Sequence, residues 1–118
     1  MREGNVISEK TMQFAIRIVK LYECLVQRSD ERVLARQLLK SGTSIGANVR
    51  EACNGQSRKD FIAKLSISLK EAAETEYWLE LLFKTGYISE AEYSSLNGDC
   101  KEILKLLVLI IKSAKRDM

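Results

Sequence analysis

The chain has 118 residues, of which 46% are hydrophobic, 30% charged and 7% aromatic, with a formal charge of +3. That length is about one domain with its own apolar core, so residues 1–118 read as a single domain. An isoelectric point near 8.8 permits an acidic partner without demanding one, and falls just short of the value of about 9 that marks strongly basic nucleic-acid binders.

Proline is absent, which removes the strongest internal breaker of long helices. No stretch alternates β-branched with polar residues, so the composition is that of an all-α protein. Histidine is also absent. The three cysteines, Cys24, Cys53 and Cys100, are too scattered for a metal site and read as small buried or half-buried apolar residues of a reducing, cytoplasmic setting. The amino terminus carries acid and no long apolar stretch, unlike a secretory leader. The longest apolar run, Leu106 to Ile111, is far short of the roughly 20 residues of a membrane span.

The first helix is expected to start after Ser8, as its N-cap, and to end at Gln27 or Arg28. Phe14, Ile18, Leu21 and Leu25 form its apolar stripe, widened by Met12, Ala15, Val19, Tyr22 and Val26. Ser29 and Asp30 can cap a second helix running from about Glu31 to Asn54. Its seam is Leu34, Leu38, Ser41, Ile45, Asn48 and Ala52. Gly42 and Gly46 each cost roughly 1 kcal/mol against Ala inside a helix, which predicts either a close neighbour or a bend.

Asn54-Gly55 ends that helix, and Ser57 with Asp60 caps a third that stops at Gly86. Its seam comprises Phe61, Leu65, Ser68, Ala72, Thr75, Leu79 and Leu82. Ser89-Glu90-Ala91-Glu92 is a capping box opening a fourth segment, either interrupted at Asn97-Gly98-Asp99 or running through. Eight of the nine residues from Ile103 to Ile111 are apolar and so point in every direction around a helix. In a four-helix bundle such a helix calls for a second subunit, which predicts an interface at Leu106, Leu107, Leu109 and Ile110, with Tyr77 and Trp78 as anchors.

Charges are segregated. Residues 86–100 carry only acid, whereas Arg36, Lys40, Arg50, Arg58, Lys59 and Lys64 form a basic band that could meet phosphates. Docking against an acidic surface of the same or another subunit is the competing use. Ser44, Asn48, Glu71 and Glu74 are the polar residues expected inside, where one polar layer fixes register rather than holding a ligand. No general base, phosphate loop or activated nucleophile stands out, and Glu-x-x-His metal pairs cannot occur, so no enzyme, cofactor or metal is expected.

The stretch Ser41-Gly42-Thr43-Ser44-Ile45-Gly46-Ala47-Asn48-Val49-Arg50-Glu51-Ala52, followed by Asp60-Phe61, Lys70-Glu71-Ala72 and Glu76-Tyr77-Trp78-Leu79, resembles the four-helix-bundle family of 23S rRNA intervening-sequence proteins. The resemblance extends over essentially the whole chain. Many members have a Pro and an Ala-Glu-Gly where this chain has Gly46-Ala47 and Arg50-Glu51-Ala52, which implies a straighter second helix here. The resemblance implies an antiparallel up-down bundle assembling as a homopentamer. It also implies a relation to the accessory variability determinant protein of diversity-generating retroelements, a basic pentamer that works with a reverse transcriptase and nucleic acid. RNA, DNA or a nucleic-acid enzyme are therefore the expected partners beyond the chain itself.

Overall fold

The computed structural model describes residues 2–118, with side chains from Asn5 onward. The reading of the first residues as no secretory leader rests partly on Met1, which lies outside the described residues. Four helices succeed one another: α1 (Arg2–Arg28), α2 (Val33–Cys53), α3 (Arg58–Lys84) and α4 (Glu90–Arg116). α1 and α3 each pack on both α2 and α4, whereas the diagonal pairs do not meet, so the molecule is an antiparallel up-down four-helix bundle. Its extents of 47 × 20 × 18 Å give a nearly square cross-section.

The apolar seams read in the sequence become the core. Phe14, Ile18, Leu38, Ile45, Leu65, Leu79 and Leu107 are all buried at its centre. α1 starts earlier than Ser8, because Ile7 extends the stripe by one step and is 1% exposed. Ser8 is therefore no cap. Its carbonyl instead accepts the Thr11 hydroxyl at 3.2 Å.

The α1–α2 turn also differs from expectation. Asp30 has no capping role; Ser29 donates to the Leu25 carbonyl at 2.8 Å and so closes α1. Glu31 opens α2 by accepting the Leu34 amide at 2.6 Å. α2 then runs unbroken through both glycines. A Cβ at Gly42 would stand 2.9 Å from two Ile18 carbons, and one at Gly46 would stand 3.3 Å from the Thr11 hydroxyl. Both glycines thus admit α1 at close range, which is the return on their helix cost.

Ser57 caps α3 by accepting the Asp60 amide at 3.0 Å. At the other end Gly86 takes φ +84, its amide reaches the Phe83 carbonyl, and the Tyr87 amide reaches Leu82 at 2.9 Å. This is a Schellman stop, and a side chain at Gly86 would be strained there. The Ser89–Glu92 capping box forms with both of its hydrogen bonds, at 2.8 and 3.1 Å. α4 passes through Gly98 without interruption.

Candidate nucleic-acid interface

On α2 the seam residues Leu38, Ile45 and Val49 face the core, and Gly42 and Gly46 face α1. The direction left for solvent carries Arg36, Lys40, Ala47 and Arg50, all exposed, at steps of four, seven and three residues. Those steps keep side chains on one stripe, and 14 residues of helix extend it over about 21 Å. Arg36, Lys40 and Arg50 make no ion pair among the described residues. Lys40 does feel Glu71 across the α2–α3 seam.

The other three expected cations lie beyond the α2–α3 turn. Arg58 and Lys59 stand in the first turn of α3, where the helix dipole is already positive. Arg58 faces Asp117 at 3.9 Å, and Lys64 faces Glu51 at 3.8 Å. Lys59 has no ion pair among the described residues. Arg58 thus turns toward the end of α4 and Lys64 toward α2, each partly neutralised, so the structure groups Arg36, Lys40 and Arg50 on one stripe and does not bring all six onto it.

The acidic run of residues 86–100 has a partner within the chain. Arg28 pairs with Glu92 at 3.1 Å, Arg17 pairs with Asp99 and donates to Ser95 at 2.8 Å, and Lys10 reaches Glu102 at 3.9 Å. These contacts form a ladder along the α1–α4 seam. Burial pushes the Glu92 carboxyl up, but the Ser89 amide and Arg28 outweigh it and hold it below its ordinary value. On the far side Lys101 meets Glu76 at 3.4 Å, using one of the acids of α3.

The expected inner polar layer is displaced. Ser44, Asn48 and Glu71 are only half-buried and Glu74 is exposed; all four lie along the outer rim of the α2–α3 seam. Ser44 donates to the Lys40 carbonyl at 2.6 Å and Asn48 to the Ser44 carbonyl at 2.8 Å, so each satisfies its own helix. Burial and the neighbouring Glu74 raise the Glu71 carboxyl, while Ser44 and Lys40 lower it. The polar residues inside are instead Thr11, Ser41, Ser68 and Thr75. Ser68 donates to the Ile45 carbonyl at 2.8 Å, and the Thr75 and Ser41 hydroxyls lie 2.9 Å apart.

The apolar residues expected at an interface divide likewise. Leu107 and Ile110 are buried in the chain's own core, and Leu106 and Trp78 are half-buried against it. Leu109 and Tyr77 remain exposed, at 63% and 59%. The all-round apolar run is therefore largely satisfied within the bundle, because Leu104 and Val108 tuck into its flanks. The Tyr77 and Trp78 rings make a T-shaped contact with centroids 5.0 Å apart. Exposed apolar residues that periodicity assigned to the edge of the core, Met12 and Val19, lie with Ile16 on the outside of α1.

The expectation of buried or half-buried cysteines holds for Cys100 alone: Cys24 and Cys53 are exposed because they stand on the outward sides of α1 and α2, whereas Cys100 is buried and donates to the Ala72 carbonyl at 3.3 Å. Burial pushes the Cys100 thiol up to about 12. The thiolate is the reactive form, so titration with a disulfide reagent at pH 8 should find two fast thiols per chain. The third should appear only with denaturant; a fast third thiol would contradict this packing.

Compared with known proteins, residues 3–109 match the family described as 23S rRNA-intervening sequence protein. The chain belongs to that family. A crystal structure of a protein of unknown function from the S23 ribosomal protein family of Bacteroides thetaiotaomicron is 58% identical to it, with a TM-score of 0.91. That match covers 93% of this chain and 98% of the other. No curated protein matches the sequence. Neither the family description nor the solved relative names a reaction. Among the described residues no helix is long and apolar enough to cross a membrane, and no cluster of His, Cys, Asp or Glu could hold a metal ion.

Proposed function

We propose that the protein is a non-enzymatic, homo-oligomeric bundle, a pentamer in the cytoplasm, whose exposed basic band binds the phosphate backbone of RNA or DNA, alone or with a nucleic-acid-processing enzyme. The observation that carries this is the α2 stripe. Among the described residues Arg36, Lys40 and Arg50 stay exposed and without ion pairs, in a chain that uses seven other cations in ion pairs. Cations left unpaired along about 21 Å of one straight helix suit a partner with regularly spaced negative charge. Arg58 and Lys59 add cations at a helix start, where anions are favoured. No aromatic side chain lies on the α2 stripe itself, so binding there would read phosphates and not base identity.

Gel shifts against duplex and single-stranded RNA and DNA, repeated across a salt series, test this reading. The triple substitution Arg36→Gln, Lys40→Gln, Arg50→Gln should lower the slope of log K against log salt by about 2–3 per subunit engaged, given roughly 0.9 per phosphate contact on duplex. Wild-type protein that binds neither nucleic acid at low salt would defeat it.

The second reading is a purely structural or protein-interaction module. The α1–α4 ladder favours it, since it shows charge segregation already serving helix docking. Basic residues of the α2 stripe paired with acids of a neighbouring subunit would support that reading against the first.

A further inference from the structure

Like charges four residues apart weaken a helix. Two helices of this bundle carry such a pair on their outer edges, Arg36 with Lys40 on α2 and Lys112 with Arg116 on α4, all exposed. On α4, Lys105, Leu109, Lys112 and Arg116 succeed one another at steps of four, three and four residues. They therefore share one stripe, about 17 Å long. Among the described residues Lys105, Lys112, Lys115 and Arg116 make no ion pair. The acids near them are engaged elsewhere, Glu102 by Lys10 of α1 and Asp117 by Arg58 of α3, both at 3.9 Å. The helix dipole accounts for Lys115 and Arg116, which stand in the last turn, but not for Lys105 and Lys112.

α2 and α4 stand on a diagonal of the bundle and do not touch, so their outer edges point in opposite directions across a section of 20 × 18 Å. One straight backbone cannot lie along both. Resting on the phosphate reading of the α2 stripe above, we infer that the α4 outer edge is a second nucleic-acid site. Each chain then holds two separate segments of phosphate backbone, on opposite edges. The two stripes are built alike: a pair of cations one turn apart, a neutral residue, Ala47 or Leu109, and a third cation.

The edges between the two stripes do not join them. Exposed Lys20 on α1 has Glu23 three residues on, and exposed Lys70 on α3 has Glu74 four residues on, so the cations there have an acid within one turn. Leu109 is 63% exposed and, with Leu104 and Val108, rims a shallow apolar dent between the cations of α4. One protruding leucine is too little to anchor a folded bundle in lipid. Cations before and after it on one straight line instead follow a chain of phosphates. Charge complementarity, not apolar burial, selects the occupant.

Stoichiometry on the full chain tests this, because it is counted per chain whatever the assembly. A duplex of about eight base pairs, about 27 Å long, covers one stripe. Titrated at low salt into protein well above its dissociation constant, it should saturate at two duplexes per chain. Lys105→Gln, Lys112→Gln and Arg116→Gln together should lower that to one, as should the α2 triple substitution, and the six together should abolish binding. All six positions are exposed, so the circular-dichroism spectrum should be unchanged. Leu109→Ser should leave two. A wild type that saturates at one duplex, with the α4 variant unchanged, would overturn this site and leave the α2 reading standing. Wild-type protein that binds no duplex would overturn both. Binding to phosphatidylserine vesicles that Leu109→Ser abolishes, with one duplex per chain in both proteins, would make the α4 edge a lipid contact and overturn the proposal.

Discussion

Phe14→Ala is expected to destabilise the bundle by about 3–5 kcal/mol, the usual range for removing a fully buried aromatic ring. Phe14 is 1% exposed and sits midway along α1, between Ile7 and Leu21 on the same stripe. It belongs to the continuous buried core of the bundle, so the void cannot collapse cheaply. For a chain of this size each kcal/mol moves the melting temperature by roughly 4 °C, which gives a fall of about 12–20 °C. Chemical denaturation should show a lower midpoint at unchanged slope. A loss below about 1 kcal/mol would mean that Phe14 is not enclosed as described. Met12→Ala, two residues away and 44% exposed, serves as the contrast. In the isolated subunit it should cost little.

The fold was legible because apolar spacing in a bundle is a direct consequence of helix geometry. Phe14, Ile18, Leu38, Ile45, Leu65 and Leu79 lie where a 3.6-residue period puts them, and the helix stops at Gly86 and starts at Ser89 rest on local chemistry. The start of α1 was hidden because Ser8 looks like a cap and Ile7 lies before it. A cap is recognised from the helical residues on its C-terminal side, and an apolar residue one position before it carries the contrary signal.

The run from Ile103 to Ile111 misled for a different reason. Periodicity tells which way a side chain leaves its helix, but not how far a neighbouring helix wraps round it. α3 and α1 flank α4 closely enough to cover Leu104, Leu106 and Val108 in part, so Leu109 alone of the eight apolar residues stays exposed. Acid-only residues 86–100 pointed to a complementary surface without saying which. The partner proved to be α1, whose Arg17 and Arg28 lie more than 60 residues away in sequence. The abundance of basic residues was legible as composition, but the distinction between paired Arg58 or Lys64 and unpaired Arg36 or Arg50 needs the tertiary structure.

The inner polar layer gives the second large effect, and it is one of coupling. Thr75 is 0% exposed; its hydroxyl bonds the Glu71 carbonyl at 2.8 Å and lies 2.9 Å from Ser41, which itself is 2% exposed. Ser41 otherwise has only a long 3.4 Å contact to the Leu38 carbonyl. Thr75→Val keeps the shape but strands the Ser41 hydroxyl, at an expected cost of about 1–3 kcal/mol. Ser41→Ala leaves Thr75 bonded to its own helix and should cost less. The double variant removes both polar groups and should cost less than the sum of the two singles, with a coupling of about 1 kcal/mol or more across α2 and α3. Chemical denaturation of the four proteins measures that cycle. Strict additivity would mean that the two hydroxyls do not interact. A positive coupling places the polar contact between α2 and α3 at Ser41 and Thr75, one turn of α2 away from Ser44, where sequence alone had put the polar layer. The helical period had already put Ser41, Ser68 and Thr75 on the seams; the polar layer was misplaced because a Ser or Thr that can donate to its own helix carbonyl is cheap to bury and lacks the charge or amide that drew attention to Asn48 and Glu71.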